Sequence, residues 1–121
     1  MTSLREIKIL NELKNHINVV RLKEVAVGSK DDSIFLVFEY SLIDVGCLID
    51  RMRMNYDDMS IGEIKCIILQ ILNGISYLHQ NFIMHRDLKL SNLLIGKDGV
   101  IKIADFGLAR KYGKLFVMLQ H

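Results

Sequence analysis

Ile83-Met84-His85-Arg86-Asp87-Leu88-Lys89-Leu90-Ser91-Asn92 is the stretch on which the reading of this chain turns. It sets a carboxylate, an ammonium and an amide close together, in a segment with no regular apolar period. Side chains projecting from one irregular loop can converge. Phosphoryl transfer to a hydroxyl needs a carboxylate near the attacking oxygen, a cation over the transferred group and ligands for a hard metal ion. Asp87, Lys89 and Asn92 supply one of each. The bland alternative is a solvated basic loop after a helix, and the surroundings argue against it.

Downstream, Leu93-Leu94-Ile95 and Val100-Ile101-Lys102-Ile103 flank Gly96-Lys97-Asp98-Gly99, which is a hairpin by its turn chemistry. Asp105-Phe106-Gly107 follows the second strand. By itself it reads as an ordinary turn; behind the loop and hairpin, Asp105 is placed to hold a cation bridging phosphates. Upstream, Ile61 to Gln80 reads as a long helix with Ile64, Ile68, Ile71, Leu72, Ile75 and Leu78 on one face. Val45 to Met54 reads as a shorter one. Ile34 to Phe38 is a continuous β-forming run, expected to be buried on both faces, and Val19 to Val27 reads as a strand ending at the turn cluster Gly28 to Asp32. A first helix is expected over Ser3–Asn15, with Leu4, Ile7, Leu10 and Leu13 inward and Ser3 and Glu6 as a capping box. Strands grouped beside grouped helices make the fold class α+β.

The loop, His85-Arg86-Asp87-Leu88-Lys89 with Asn92, together with Asp105-Phe106-Gly107, resembles the eukaryotic protein kinases. Lys89, two residues after Asp87, resembles the Ser/Thr class. Thr2-Ser3-Leu4-Arg5-Glu6 resembles the cyclin-binding signature of the cyclin-dependent kinases, in its Thr-Ser-Leu-Arg-Glu form. The resemblance implies a partial kinase fold: αC helix, two small-lobe strands, hinge, two large-lobe helices, catalytic loop and hairpin. It implies ATP and Mg2+ as cofactors and transfer of the γ-phosphate to a protein Ser or Thr hydroxyl. Asp87 and Lys89 would be catalytic, and Asn92 and Asp105 would bind metal. Phe38 would be the gatekeeper, Glu39 and Ser41 would pair with adenine through the backbone, Asp44 would meet the ribose and Leu94 would floor the base. Glu6 would pair with a small-lobe lysine.

The resemblance also implies a cyclin, cyclin M in particular, bound through helix 3–15, a protein substrate, and residence in the nucleus and/or cytoplasm. Residues 1–121 contain no glycine-rich loop or small-lobe lysine, and no activation loop is recognised in them after Gly113. Residues 1–113 therefore read as a partial kinase domain and 114–121 as a divergent tail. The chain alone is expected to be inactive. A non-catalytic cyclin-binding fragment is the alternative.

The bulk composition narrows the partners. A net charge of +2 over 121 residues predicts neither nucleic acid nor a membrane surface. The longest apolar stretches read as too short and interrupted to span a bilayer, and no signal peptide is visible. Half of the residues are hydrophobic and the chain contains no proline. Cys47 and Cys66 have no metal-ligand spacing and are expected to be buried, reduced thiols.

Overall fold

The structure, a computed structural model, describes residues 4–29, 33–39 and 43–112. Helix α1 spans Leu4–Glu12, and strands β1 (Leu22–Val27) and β2 (Ile34–Phe38) form an antiparallel pair. The short strand β3 (Ile43–Asp44) leads into α2 (Val45–Met54), followed by α3 (Ile61–Gln80) and β4 (Ile83–Met84). A single 3-10 turn, Leu90–Asn92, opens the hairpin β5 (Leu93–Ile95) and β6 (Ile101–Ile103), and β7 (Arg110–Lys111) closes the described chain. Strand β3 pairs with β5 to make a three-stranded sheet, and β4 pairs with β7. The order is α+β, as read from the sequence.

One core joins these pieces. Phe106, Leu78, Ile83, Ile101, Ile103 and Val45 are its largest fully buried side chains. Gly74 is what lets α3 approach β6: a Cβ there would lie 2.8 Å from Ile103 Cδ1 and 2.9 Å from the Asn18 carbonyl. Around that contact runs a buried polar seam. Asn18 Nδ2 donates to Gln70 Oε1 (3.1 Å) and to the Ile101 carbonyl (2.9 Å), while Asn73 Nδ2 donates to Asn18 Oδ1 (2.8 Å). Such a seam holds only when each member is satisfied, and here each is.

Several expectations are corrected. The strand read from Val19 starts at Leu22, because Asn18, Val19 and Val20 turn to β6 instead. The Val20 N–H donates to the Ile103 carbonyl at 2.9 Å, and the Ile103 N–H to the Asn18 carbonyl at 2.9 Å. Strand β2 is not buried on both faces: among the described residues it pairs with β1 alone, and Ile34 and Phe35 are exposed. Helix α1 ends at Glu12 and buries Ile9 and Leu10, whereas Leu4 is exposed; Ser3, and with it the capping box, lies outside the described residues. On α3 the inward face is Ile67, Ile71, Gly74, Ile75 and Leu78, and Ile64, Ile68 and Leu72 look outward.

Both cysteines are exposed rather than buried, because Cys47 lies on the outer side of the first turn of α2 and Cys66 on the outer side of α3. Helix α3 is also long and apolar enough to cross a membrane by length and composition, contrary to the sequence reading. Gly74 and Leu78 are nevertheless packed into the core, and a Ser60–Glu63 capping box starts the helix.

Candidate active site

The loop after β4 is held open by unusual backbone and closed by side chains. Phe82, Arg86 and Asp105 have φ of 58°, 68° and 58°, a left-handed conformation that side chains enter only when surroundings hold them there. The His85 ring does much of that holding. The Asp87 N–H donates to His85 Nδ1 at 3.2 Å, so the ring proton sits on Nε2, which donates to the Ala104 carbonyl at 2.7 Å. The ring also meets Phe106 edge-on, with centroids 5.0 Å apart. His85 thereby ties the loop bearing Asp87 to the segment bearing Asp105.

Asp87, Lys89 and Asn92 do converge. Asn92 Nδ2 donates to the Asp87 carbonyl at 2.8 Å and reaches Asp87 Oδ2 at 3.3 Å, while Lys89 Nζ lies 3.8 Å from Asp87 Oδ1. With its amide nitrogen turned to Asp87, Asn92 has Oδ1 to offer to a cation. The Ala104 N–H donates to the Asn92 carbonyl at 2.8 Å, linking Asn92 to the residue before Asp105. Asp105 is exposed, and its Oδ1 accepts from the Gly107 N–H at 3.2 Å. An amide oxygen and a carboxylate are hard donors, which suit magnesium.

Beside the loop is a pocket of about 410 Å³ lined by Glu6, Val20, Phe38, Leu94, Ala104 and Asp105, with Ile34 to Leu36 along its rim. Four of the residues expected at a nucleotide site (Glu6, Phe38, Leu94 and Asp105) therefore share one cavity. The Glu6 carboxyl is held above its ordinary range, by burial first and then by the negative charge of Asp105. Glu39 and Asp44 stand off the pocket. The Glu39 N–H donates to the Arg21 carbonyl at 3.3 Å and its carboxylate pairs with Lys102 at 3.0 Å, so the carbonyl is the backbone group it offers. Asp44 lies directly across from Leu94 in the sheet, but its Oδ1 caps α2 by accepting from the Cys47 N–H at 2.8 Å. Ser41 lies outside the described residues.

Two features escaped the sequence reading. One is the binding role of His85, which sits inside the quoted loop but acts through its partners. The other is a positive cluster: Arg86 Nε donates to the Leu108 carbonyl at 2.8 Å, and slight desolvation and the charges of Arg5 and Arg86 lower the Arg110 pKa. Those three arginines come from α1, the loop and β7, so only the fold brings them together.

The protein kinase domain family matches residues 1–116. The chain is 55% identical over 113 residues to a probable cyclin-dependent kinase 10 of Dictyostelium discoideum, and 51% identical to human cyclin-dependent kinase 10. In both, the match covers 93% of this chain and 30% of the relative. The chain thus spans about 30% of the length of these curated relatives. Among solved structures, a chain of the yeast RNA Pol II CTD kinase CTDK-1 complex superposes with a TM-score of 0.80 at 40% identity, over 92% of this chain and 35% of that one. The chain belongs to the protein kinase domain family and is similar, within it, to the cyclin-dependent kinases.

Proposed function

We propose that this chain carries the phosphoryl-transfer centre of a cyclin-dependent Ser/Thr protein kinase, with ATP in the pocket between β2 and the β5–β6 hairpin. The observation that carries the reading is the convergence of Asp87, Lys89 and Asn92 beside the pocket that Asp105 and Leu94 line. Leu94 would lie beneath the base and Phe38 at its back, with the backbone carbonyl of Glu39, the residue after Phe38, as the group offered to the adenine edge. Asn92 Oδ1 and Asp105 Oδ2 would hold magnesium, which would supply positive charge to offset that of the phosphates.

Asp87 orients the protein Ser or Thr hydroxyl and takes its proton as the oxygen attacks the γ-phosphorus. The bond from that phosphorus to the β–γ bridging oxygen breaks, and ADP leaves. Lys89, within reach of Asp87, sits over the transferred group and balances its charge. Most of the acceleration comes from holding these groups in place. Titrating ATP with and without magnesium by calorimetry tests the site. Binding should depend on magnesium and weaken about tenfold or more in Asp105→Asn; tight binding indifferent to both changes refutes it.

The cyclin would dock on α1, where Leu4 is exposed and Ile7 half-buried. The names of the relatives and the Thr-Ser-Leu-Arg-Glu signature support a cyclin, and the likeness to cyclin-dependent kinase 10 favours cyclin M. Pull-down with cyclin M should succeed with the wild-type chain and fail with Ile7→Asp. Capture that is unchanged in the variant removes α1 as the contact.

A further inference from the structure

Lys102 is the middle residue of β6 and the cross-strand partner of Leu94. Its ammonium makes two contacts at once: Glu39 Oε1 at 3.0 Å and the Ile17 carbonyl at 3.0 Å. Glu39 directly follows Phe38, and Ile17 directly precedes the Asn18–Val20 segment that pairs with β6. Phe38, Val20 and Leu94 all line the pocket. One side chain thus joins the three segments whose spacing sets the pocket's width. The pair is no loose surface bridge, since the Lys102 and Glu39 side chains are only 23% and 30% exposed. Partly buried, charge-assisted contacts of this kind hold geometry far better than solvent-exposed ones.

We infer that Lys102 is a positioning residue of the nucleotide site: by holding Glu39 and the Ile17 carbonyl together it fixes the neighbouring Phe38 and the Asn18–Val20 segment relative to Leu94, and so the width of the adenine end of the pocket. The inference rests on the nucleotide reading of the pocket. Lys102 touches neither phosphate nor metal ligands, so its effect belongs to the adenine end. Removing the charge therefore weakens adenine nucleotides while leaving the magnesium dependence as it was. The effect also runs through Glu39, so the two residues are coupled.

The test is magnesium-ATP titration of the 121-residue chain as wild type, Lys102→Met, Glu39→Gln, the double variant and Lys102→Arg. Methionine keeps much of the aliphatic stem, and arginine keeps the charge. Each single neutral variant should lose about three- to tenfold in affinity, the double should lose no more than the worse single, and arginine should recover most of it. Losses that add in the double variant, or full affinity in Lys102→Met, overturn the inference. Should the wild-type chain bind no ATP, the pocket reading fails separately, and amide exchange over residues 36–45 decides on Lys102. Exchange there should quicken in Lys102→Met and return in Lys102→Arg. Unchanged exchange in Lys102→Met refutes the positioning role.

Discussion

The His85 ring satisfies two backbone groups from opposite sides, the Asp87 N–H through Nδ1 and the Ala104 carbonyl through Nε2, at a position only 4% exposed. A side chain of similar size without nitrogens would leave both groups unpaired in a place water barely reaches. Each such orphan costs about 1–3 kcal/mol. His85→Leu should therefore lower stability by about 2 kcal/mol or more, read as a fall in the urea midpoint with an unchanged m-value. It should also free Asp87 from its place beside Asn92, so magnesium-ATP binding weakens less than the loop's order does. An unchanged midpoint would mean that water replaces the ring at no cost.

Among the elements, α3 carries the clearest consequences. Its contact with β6 leaves no room at Gly74, where an added Cβ meets Ile103 Cδ1 at 2.8 Å and the backbone oxygen of Asn18 at 2.9 Å. Backbone cannot step aside as a flexible side chain can, so the gain in helix propensity is outweighed. Gly74→Ala should destabilise the chain by about 1–3 kcal/mol in urea titration. A rise in stability would show that the helix shifts freely.

The start of α3 gives a pH signature. The Ser60 N–H donates to Glu63 Oε1 at 3.0 Å and the Glu63 N–H to Ser60 Oγ at 3.1 Å. Hydrogen bonding to the carboxylate from the Ser60 backbone, and secondly from its side chain, holds the Glu63 carboxyl below its ordinary range. A depressed acid means that the unfolded chain takes the proton first. The capping contribution is therefore complete above the ordinary carboxylate range and disappears as pH falls through the folded-state value. Wild type should melt above Glu63→Gln at about pH 7, and the difference should shrink as pH falls below the ordinary carboxylate range; a constant gap would put the effect elsewhere. Helices α2 and α3 were legible to the residue, because cap and period agree in each. The inward face of α3 was legible only in part: Ile71, Ile75 and Leu78 do face the core, but Ile64, Ile68 and Leu72 are as apolar as Ile67, and the Gly74 contact turns them outward.

At the scale of the whole molecule, the loop and the Asp105 motif were legible because their chemistry is packed into short stretches of sequence. The Lys102–Glu39 bridge and the Arg5, Arg86, Arg110 cluster were not, since each joins residues that only the fold makes neighbours. The same burial pattern that corrected the α3 reading determines how the chain behaves in solution. Ile61, Leu69 and Leu72 are 86%, 57% and 56% exposed on α3, and Phe35 is 59% exposed on β2, whose pairing among the described residues is with β1 alone. Exposed apolar side chains on a helix face, and a strand whose second edge has no partner among the described residues, are surfaces that other chains cover. A second copy that buried these side chains would recover up to roughly 1.5–3 kcal/mol for each. The 121-residue chain on its own should therefore self-associate. Size-exclusion chromatography over a concentration series should show the apparent mass rising with concentration. Leu69→Glu with Leu72→Glu, both on the outward face of α3, should shift the profile toward monomer without lowering the urea midpoint. A wild-type chain that elutes as a monomer at every concentration would show that the outward face of α3 is no association surface.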